Sequence, residues 1–383
     1  MNHIKIEPLS RERLAATLAI PDLSDPKNGV HAINVLVENI SRALSCAYPN
    51  SVVTEVRRHP VVTVKENFDD LLFPAGNLGR SSRYTRYASP TEVLRTHTSS
   101  AVPAWLKSLP DEEGLDVIAT IPGMCYRRDV VDARHCGEPH QMDVWRIKQG
   151  ERRLGREDLL QLIETIVHTI APKCKYRTNE VEHPYTMRGL EVEVLMNGSW
   201  LEVLEGGEAH PSVLKNAGLD PDEYSGLALG MGLDRLAMVT KKIDDIRLLR
   251  AEDPRIKSQM SDLRRYTHVS TMPPIKRDLS IAVDVSTGEE DICDAIIVAL
   301  GEDARILEDV TIVSRTAYLD LPPQAIERIG MRECHINMLL RITLRSHERT
   351  LTQGEANLIR DRAYQAVHKG DKSMLISDLL VCS

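Results

Sequence analysis

The segment that most restricts the fold is residues 190–205, where LEVEVLM and SWLEVLE flank Asn197-Gly198. An Asn-Gly pair suits a two-residue turn with φ above zero at both positions, and the twist of that turn matches two antiparallel strands. Alternation places Leu190, Val192 and Val194 on one face and Glu191 and Glu193 on the other. A strand with one wet face is typical of an antiparallel sheet.

The rest of the chain supplies partners for that sheet. Residues 117–150 read as two strands joined by a long polar loop. Leu227–Leu229 reads as a strand running through Gly230-Met231-Gly232 into a helix that starts near Leu233. Residues 25–47 read as one helix, with Asp25 as cap, Pro26 at its first position, and Val30, Ile33, Val37, Ile40 and Leu44 on one face. Residues 156–171 form a second amphipathic helix that Pro172 ends. Residues 48–116 mix short strand-like pieces with Pro, Gly and Ser breaks.

Around 267–274 the pattern resets to β-α-β-β-α-β: 276–285, 289–300, 306–319, 334–345, 353–367 and a short final strand. A capping box at Thr352-Gln353-Gly354-Glu355 opens the last helix. That order matches a ferredoxin-like unit of roughly 100 residues. The expected fold class is therefore α+β, divided as an N-terminal helical segment 1–54, a central domain 55–268 and a C-terminal domain 271–383.

Composition excludes several classes. At 383 residues and 42% hydrophobic, the chain buries a core too large for a disordered segment or a disulfide-stapled miniprotein. No apolar run reaches the ~18 residues of a membrane span. The N-terminus resembles neither a secretory nor a transit segment. The seven cysteines form no C-x-x-C pair, which suggests reduced thiols and a cytoplasmic location. Net charge is −8, and residues 271–383 hold 13 basic against 18 acidic side chains, net −5.

Three segments concentrate polar groups: Leu94–Ser99; residues 123–147, with Arg127, Asp129, His135, Gln141 and Asp143; and residues 226–239, where Arg235 falls in the first turn of a helix. Arginine suits phosphate oxygens, and Gln and Asp suit an ammonium. A helix start with an arginine favours an anion. His135, Cys136, His140 and Cys125 fit no tetrahedral metal spacing.

Together these segments resemble the class II aminoacyl-tRNA synthetases, in particular the phenylalanyl-tRNA synthetase family. NFDDLLFP (67–74), LRTHTS (94–99), CYRRD…D-x-x-H…HQ-x-D and WLEVLEGGEAHPSVLKNAGLDPDEYSGLALGMGLDRLAM carry the likeness. MPPIKRDLSIAVDV and ERTLTQGEAN resemble the family's ferredoxin-fold anticodon-binding domain, and the whole layout is similar to the single-chain organellar form.

The resemblance implies a class II antiparallel sheet with flanking helices, followed by that domain. It also implies ATP-dependent activation of phenylalanine or a related amino acid, and transfer to tRNA. Arg127 would hold the α-phosphate and Arg235 the γ-phosphate, while Asp129 and His135 would contact the ATP tail and adenine side. Glu202, with Glu191 or Glu193, would hold Mg²⁺. His97, Ser99, Gln141 and Asp143 would hold the amino-acid backbone, and Ala228 would floor its pocket.

Two regions depart from the family pattern. His183-Pro184-Tyr185 stands where the family has Phe-Pro-Phe, and Glu208 stands at an apolar position. A polar group in that pocket predicts an amino acid other than, or in addition to, phenylalanine. Asn77-Leu78-Gly79-Arg80 replaces the motif 1 proline segment, leaving both homodimer and monomer open. The acidic C-terminal domain offers Arg277, Arg341, Arg345 and Arg349 as a local basic patch. The alternative reading is a paralogue that loads a carrier protein or a small molecule; Arg127, Gln141 and Arg235 argue against a third, a non-catalytic tRNA-binding protein.

Overall fold

The computed structural model describes residues 6–130, 132–196, 198–269 and 272–371. The chain divides into two compact units. The first comprises residues 1–127, 138–243 and 258–266. The second comprises 128–137, 244–257 and 267–383, so the loop carrying Asp129 and His135 groups with the C-terminal residues.

The first unit opens with α1 (Arg11–Leu18), α2 (Ala32–Ala47), β1 (Val52–Glu55), β2 (Val61–Thr63), β3 (Tyr87–Ser89), β4 (Glu92–Leu94) and α3 (Val102–Lys107). It continues with β5 (Asp116–Met124), β6 (His140–Gln149), α4 (Arg156–Ile170), β7 (Tyr176–Val181), β8 (Thr186–Met196), β9 (Ser199–Ala209), α5 (Pro211–Asn216), β10 (Tyr224–Gly232) and α6 (Leu233–Lys241). Seven strands form one sheet in the order β1-β5-β6-β10-β9-β8-β7. Every pairing is antiparallel except the edge pair β1–β5. This is the class II arrangement that the resemblance implies.

The hairpin that the sequence demanded is β8–β9, with Leu190, Val192 and Val194 buried and Glu191 and Glu193 half-buried. Gly198 has φ +82°, as its turn requires, while Asn197 lies outside the described residues. A register shift at Val192/Glu193 brings Glu193 opposite Glu202.

The helix expected over 25–47 is broken. Asp25 accepts from Lys27 N at 3.0 Å, but it caps only a 3-10 turn, Pro26–Asn28. Gly29 at φ +104° ends that turn, and His31 caps α2 by accepting from Ile33 N at 3.1 Å. Val30 is consequently 71% exposed rather than on the buried face. The small sheet β2-β4-β3 is organised from residues the sequence showed only as scattered pieces.

The second unit contains α7 (Pro254–Lys257), β11 (Ile275–Asp284), α8 (Glu289–Leu300), β12 (Leu307–Ala317), α9 (Pro323–Ile329), β13 (His335–Leu344) and α10 (Gln353–Val367). Its sheet has the order β11-β13-β12. Residues of all three strands share one core with residues of α8 and α10, among them Ile281, Val310, Leu340, Ile296 and Ile359. The Thr352 capping box is present, with Thr352 N donating to Glu355 at 2.8 Å. Helix α9 was not foreseen, and the expected final strand lies outside the described residues.

Candidate active site

Strand register defines one face of the large sheet. Ile121, Asp143, Gly230, Glu205 and Glu191 pair in succession across β5, β6, β10, β9 and β8, so their side chains share that face. The neighbouring rows are Gly123, Gln141 and Gly232 on one side, and Ala119, Trp145, Ala228 and Gly207 on the other. A Cβ added at Gly230 would meet nothing within 4 Å, whereas one at Gly123 would lie 1.9 Å from Arg95 Nη2. The floor is therefore open over Gly230 and closed over Gly123. Trp145, fully buried, fills the adjoining row.

One wall is the 96–99 segment. Asn67 exchanges two hydrogen bonds with Thr96, donating to its hydroxyl at 2.9 Å and accepting its N–H at 3.1 Å. This pins the segment beside β6. Thr98 Oγ1 donates to Asp143 Oδ1 at 2.5 Å, and Trp145 Nε1 donates to Oδ2 at 3.1 Å. Burial nevertheless raises the Asp143 pKa, with the bonds from Thr98, Ser99 and Trp145 opposing the rise.

The His97 ring stacks on Phe73 at 5.5 Å, and both of its nitrogens are buried with no hydrogen bond of ordinary geometry among the described residues. Burial, with the nearby Arg127 charge, depresses its pKa to about 3, so the ring is neutral. A hydrogen bond with the Asn67 backbone opposes that fall, which leaves the neutral ring with polar capacity that the protein meets only in part.

Arg127 Nε donates to Thr96 O at 2.7 Å. Its two Nη nitrogens have no protein partner among the described residues. Gln141 accepts from Cys125 Sγ at 3.4 Å, and burial pushes that thiol up to about 12. At the far side Arg235 Nη1 donates to Glu202 Oε2 at 3.4 Å. Burial raises the Glu202 pKa, with the charges of Glu205 and Glu191 adding to the rise and Arg235 opposing it.

The start of β6 is tied to α6 through His140, whose Nδ1 donates to Asp234 at 3.1 Å while its Nε2 accepts from Leu23 N at 3.0 Å. The strand–helix turn carrying Arg235 thus has a fixed position relative to Gln141.

The sequence-derived residues divide as follows. His97, Ser99, Arg127, Gln141, Asp143, Tyr185, Ala228, Glu202, Glu191 and Arg235 belong to the same unit, around this face. Glu193 is committed elsewhere: it accepts from Arg177 at 2.6 Å and Asn179 at 2.7 Å. Asp129 and His135 belong to the loop of the second unit, where His135 Nδ1 meets Asp132 Oδ2 at 2.6 Å.

His183 Nε2 lies 2.8 Å from Glu205 Oε2, and that hydrogen bond raises the His183 pKa. The Tyr185 ring packs between Trp145 and Phe73 at 6.2 and 6.0 Å. Burial raises its phenol, with a hydrogen bond from Ser99 opposing the rise. The sequence reading missed Glu205 and Trp145. Opposing EGGEA (205–209) against GLALG (226–230) in register would have found Glu205 facing Gly230.

An antiparallel sheet of this order, with an open glycine floor between carboxylates and arginines, defines a class II aminoacyl-tRNA synthetase core. The chain belongs to that family: the model described as tRNA synthetases class II core domain (F) matches residues 18–260. The chain is 35% identical over 251 residues to the phenylalanine–tRNA ligase alpha subunit of Nostoc punctiforme, covering 66% of this chain and 72% of that one. It is 28% identical over 352 residues to the chloroplastic/mitochondrial phenylalanine–tRNA ligase of Arabidopsis thaliana, covering 88% and 76%. To the mitochondrial phenylalanine–tRNA ligase of Dictyostelium discoideum it is 34% identical over 239 residues, 55% of this chain and 51% of that one.

Proposed function

We propose that this chain activates an amino acid with ATP and transfers the acyl group to tRNA, as its phenylalanine–tRNA ligase relatives are named for doing. The observation that carries the reading is the open strip over Gly230, with Asp143 on one side and Glu205 on the other, and with the buried, neutral His97 ring in the wall beside Asp143. Gln141, Asp143 and Ser99 receive the substrate ammonium, and His97 completes the backbone contacts. A substrate carboxylate oxygen attacks the α-phosphorus, pyrophosphate leaves, and an acyl-adenylate remains. A ribose hydroxyl of tRNA then attacks the acyl carbon and releases AMP.

The protein contributes alignment and charge stabilisation. Arg127, anchored through Nε, presents its free Nη groups to the α-phosphate. Arg235 meets the γ-phosphate from the first turn of α6. Glu202 and Glu191 suit Mg²⁺, because they are hard carboxylates whose mutual repulsion a cation relieves. When bound, the ion neutralises phosphate oxygens. Glu193 is the weaker candidate of the three, its carboxylate already satisfied by Arg177 and Asn179.

The test is amino-acid-dependent ATP–pyrophosphate exchange. Exchange that disappears in Arg127→Ala supports the reading, and no exchange with any amino acid by the folded protein overturns it. One observation favours a second acceptor: Arg277, Arg341, Arg345 and Arg349 each bond to groups within the second unit. Trapping labelled acyl groups on tRNA or on a carrier protein separates the two readings.

A further inference from the structure

Glu205 stands in the same cross-strand row as Asp143, with only Gly230 between them. Two strand spacings are about 10 Å, so a substrate held by its ammonium at Asp143 directs its side chain across Gly230 toward Glu205. Glu205 remains 37% exposed there and His183 is bonded to it. The His183 ring lies 6.0 Å from the Tyr185 ring, so the polar pair and the aromatic wall share one end of the strip. Below, Trp145 is fully buried against Tyr185 and closes the depth beside Ala228.

The pair is not saturated. Glu205 Oε1 and His183 Nδ1 have no partner among the described residues. One is an acceptor beside a carboxylate charge, and the other is the second polar atom of an imidazole. A phenyl ring placed against them would displace their water and return no hydrogen bond. A carboxylate would meet the Glu205 charge. A group that both donates and accepts satisfies the two atoms together.

Building on the proposed activation reaction, we infer that the His183–Glu205 pair is a specificity determinant selecting an amino acid whose side chain bears a hydroxyl or a carboxamide, at the expense of phenylalanine. A site built to hydrogen-bond a substrate group rejects the analogue lacking it more strongly than an apolar pocket rejects an added hydroxyl.

The experiment is pyrophosphate exchange by the full-length chain with serine, threonine, tyrosine, asparagine, glutamine, phenylalanine, leucine and glutamate. It is repeated for His183→Phe and for the near-isosteric Glu205→Gln, with thermal melts of all three proteins. The expected result is kcat/KM at least tenfold higher for one hydroxyl or carboxamide substrate than for phenylalanine. His183→Phe moves that ratio at least tenfold toward phenylalanine, through amino-acid KM rather than ATP KM. Glu205→Gln, which keeps the volume, weakens the preferred substrate at least threefold.

Preference for phenylalanine or leucine in the wild type, with a ratio unmoved by folded His183→Phe and Glu205→Gln, overturns this inference and leaves the activation reading intact. Preference for glutamate also overturns it. Silence with every amino acid overturns both.

Discussion

The arginines of the two units differ in what their donors already do. Arg127 spends one nitrogen on Thr96 O and keeps two without a protein partner among the described residues. In the second unit Arg341 forks onto Asp278 with two bonds of 2.8 Å, and Arg345 and Arg349 lie on Glu308 and Glu355. Arg277 is held by Asn357 and Gln353. Charge alone would rank these side chains together. Donor availability separates an arginine poised for a phosphate from one already matched to a carboxylate in the same planar geometry. Net charge therefore says less about polyanion binding than the count of uncommitted guanidinium edges.

The largest expected effect tests the poised side of that contrast. Arg127→Ala should lower pyrophosphate-exchange kcat by about 10²–10³, the scale of losing a preorganised donor to developing charge. Its thermal midpoint should move little, since only the bond to Thr96 O is lost. A variant that melts early while keeping activity would make Arg127 a structural strut like Arg95, which donates to Met124 O and Arg58 O.

Next in size is a pair of glycines. Gly123→Ala forces a methyl onto the Arg95 guanidinium and should cost about 1–3 kcal/mol of stability, measured by urea unfolding. Gly230→Ala meets nothing in the protein, so it should melt near the wild type yet lose about tenfold in amino-acid kcat/KM, because the methyl enters the substrate strip. Equal stability losses in both would contradict an open floor.

Asp143 adds a pH signature. Its folded pKa is raised from the ordinary 3.8 by burial, so the folded state holds this proton more tightly than the unfolded one. Stability is thus lost as pH rises from the ordinary value through the raised one, and stays lost above it. Asp143→Asn should therefore gain stability relative to wild type as pH rises from 4 to 7, while amino-acid KM rises at least tenfold. A relative gain that shrinks with pH would reverse the sign of the argument.

Much of this was legible in the sequence because local chemistry and tertiary structure agreed. Asn197-Gly198, the alternation on either side and Gly230-Met231-Gly232 each specify backbone shape within a few residues. The break at Gly29 was obscured because Asp25-Pro26 is a valid start signal, and it is satisfied by a 3-10 turn instead. Histidine is rarely read as a cap, since its acceptor role depends on which ring nitrogen bears the proton. Glu205 escaped because its meaning comes from the β10 strand opposite, not from its own neighbours. The pairing of the basic patch was hidden for a related reason. Arg341 and Asp278 are 63 residues apart, and only the β11–β13 register brings them side by side.

That register gives the smallest and most discriminating effect. If Arg341 is spent on Asp278, Arg341→Ala should change tRNA affinity less than twofold and leave the salt slope unchanged. Removing the partner should do more than removing the arginine. Asp278→Asn frees a guanidinium on the same strand pair, and it should tighten tRNA two- to threefold at low salt. It should also steepen the plot of log K against log salt by about one unit, the signature of roughly one added phosphate contact. The pair is exposed, so its loss costs little stability and the comparison is made on folded protein. A fivefold or greater loss of tRNA affinity in Arg341→Ala would mean that the guanidinium exchanges Asp278 for a phosphate on binding. Committed and poised arginines would then differ only in the free protein.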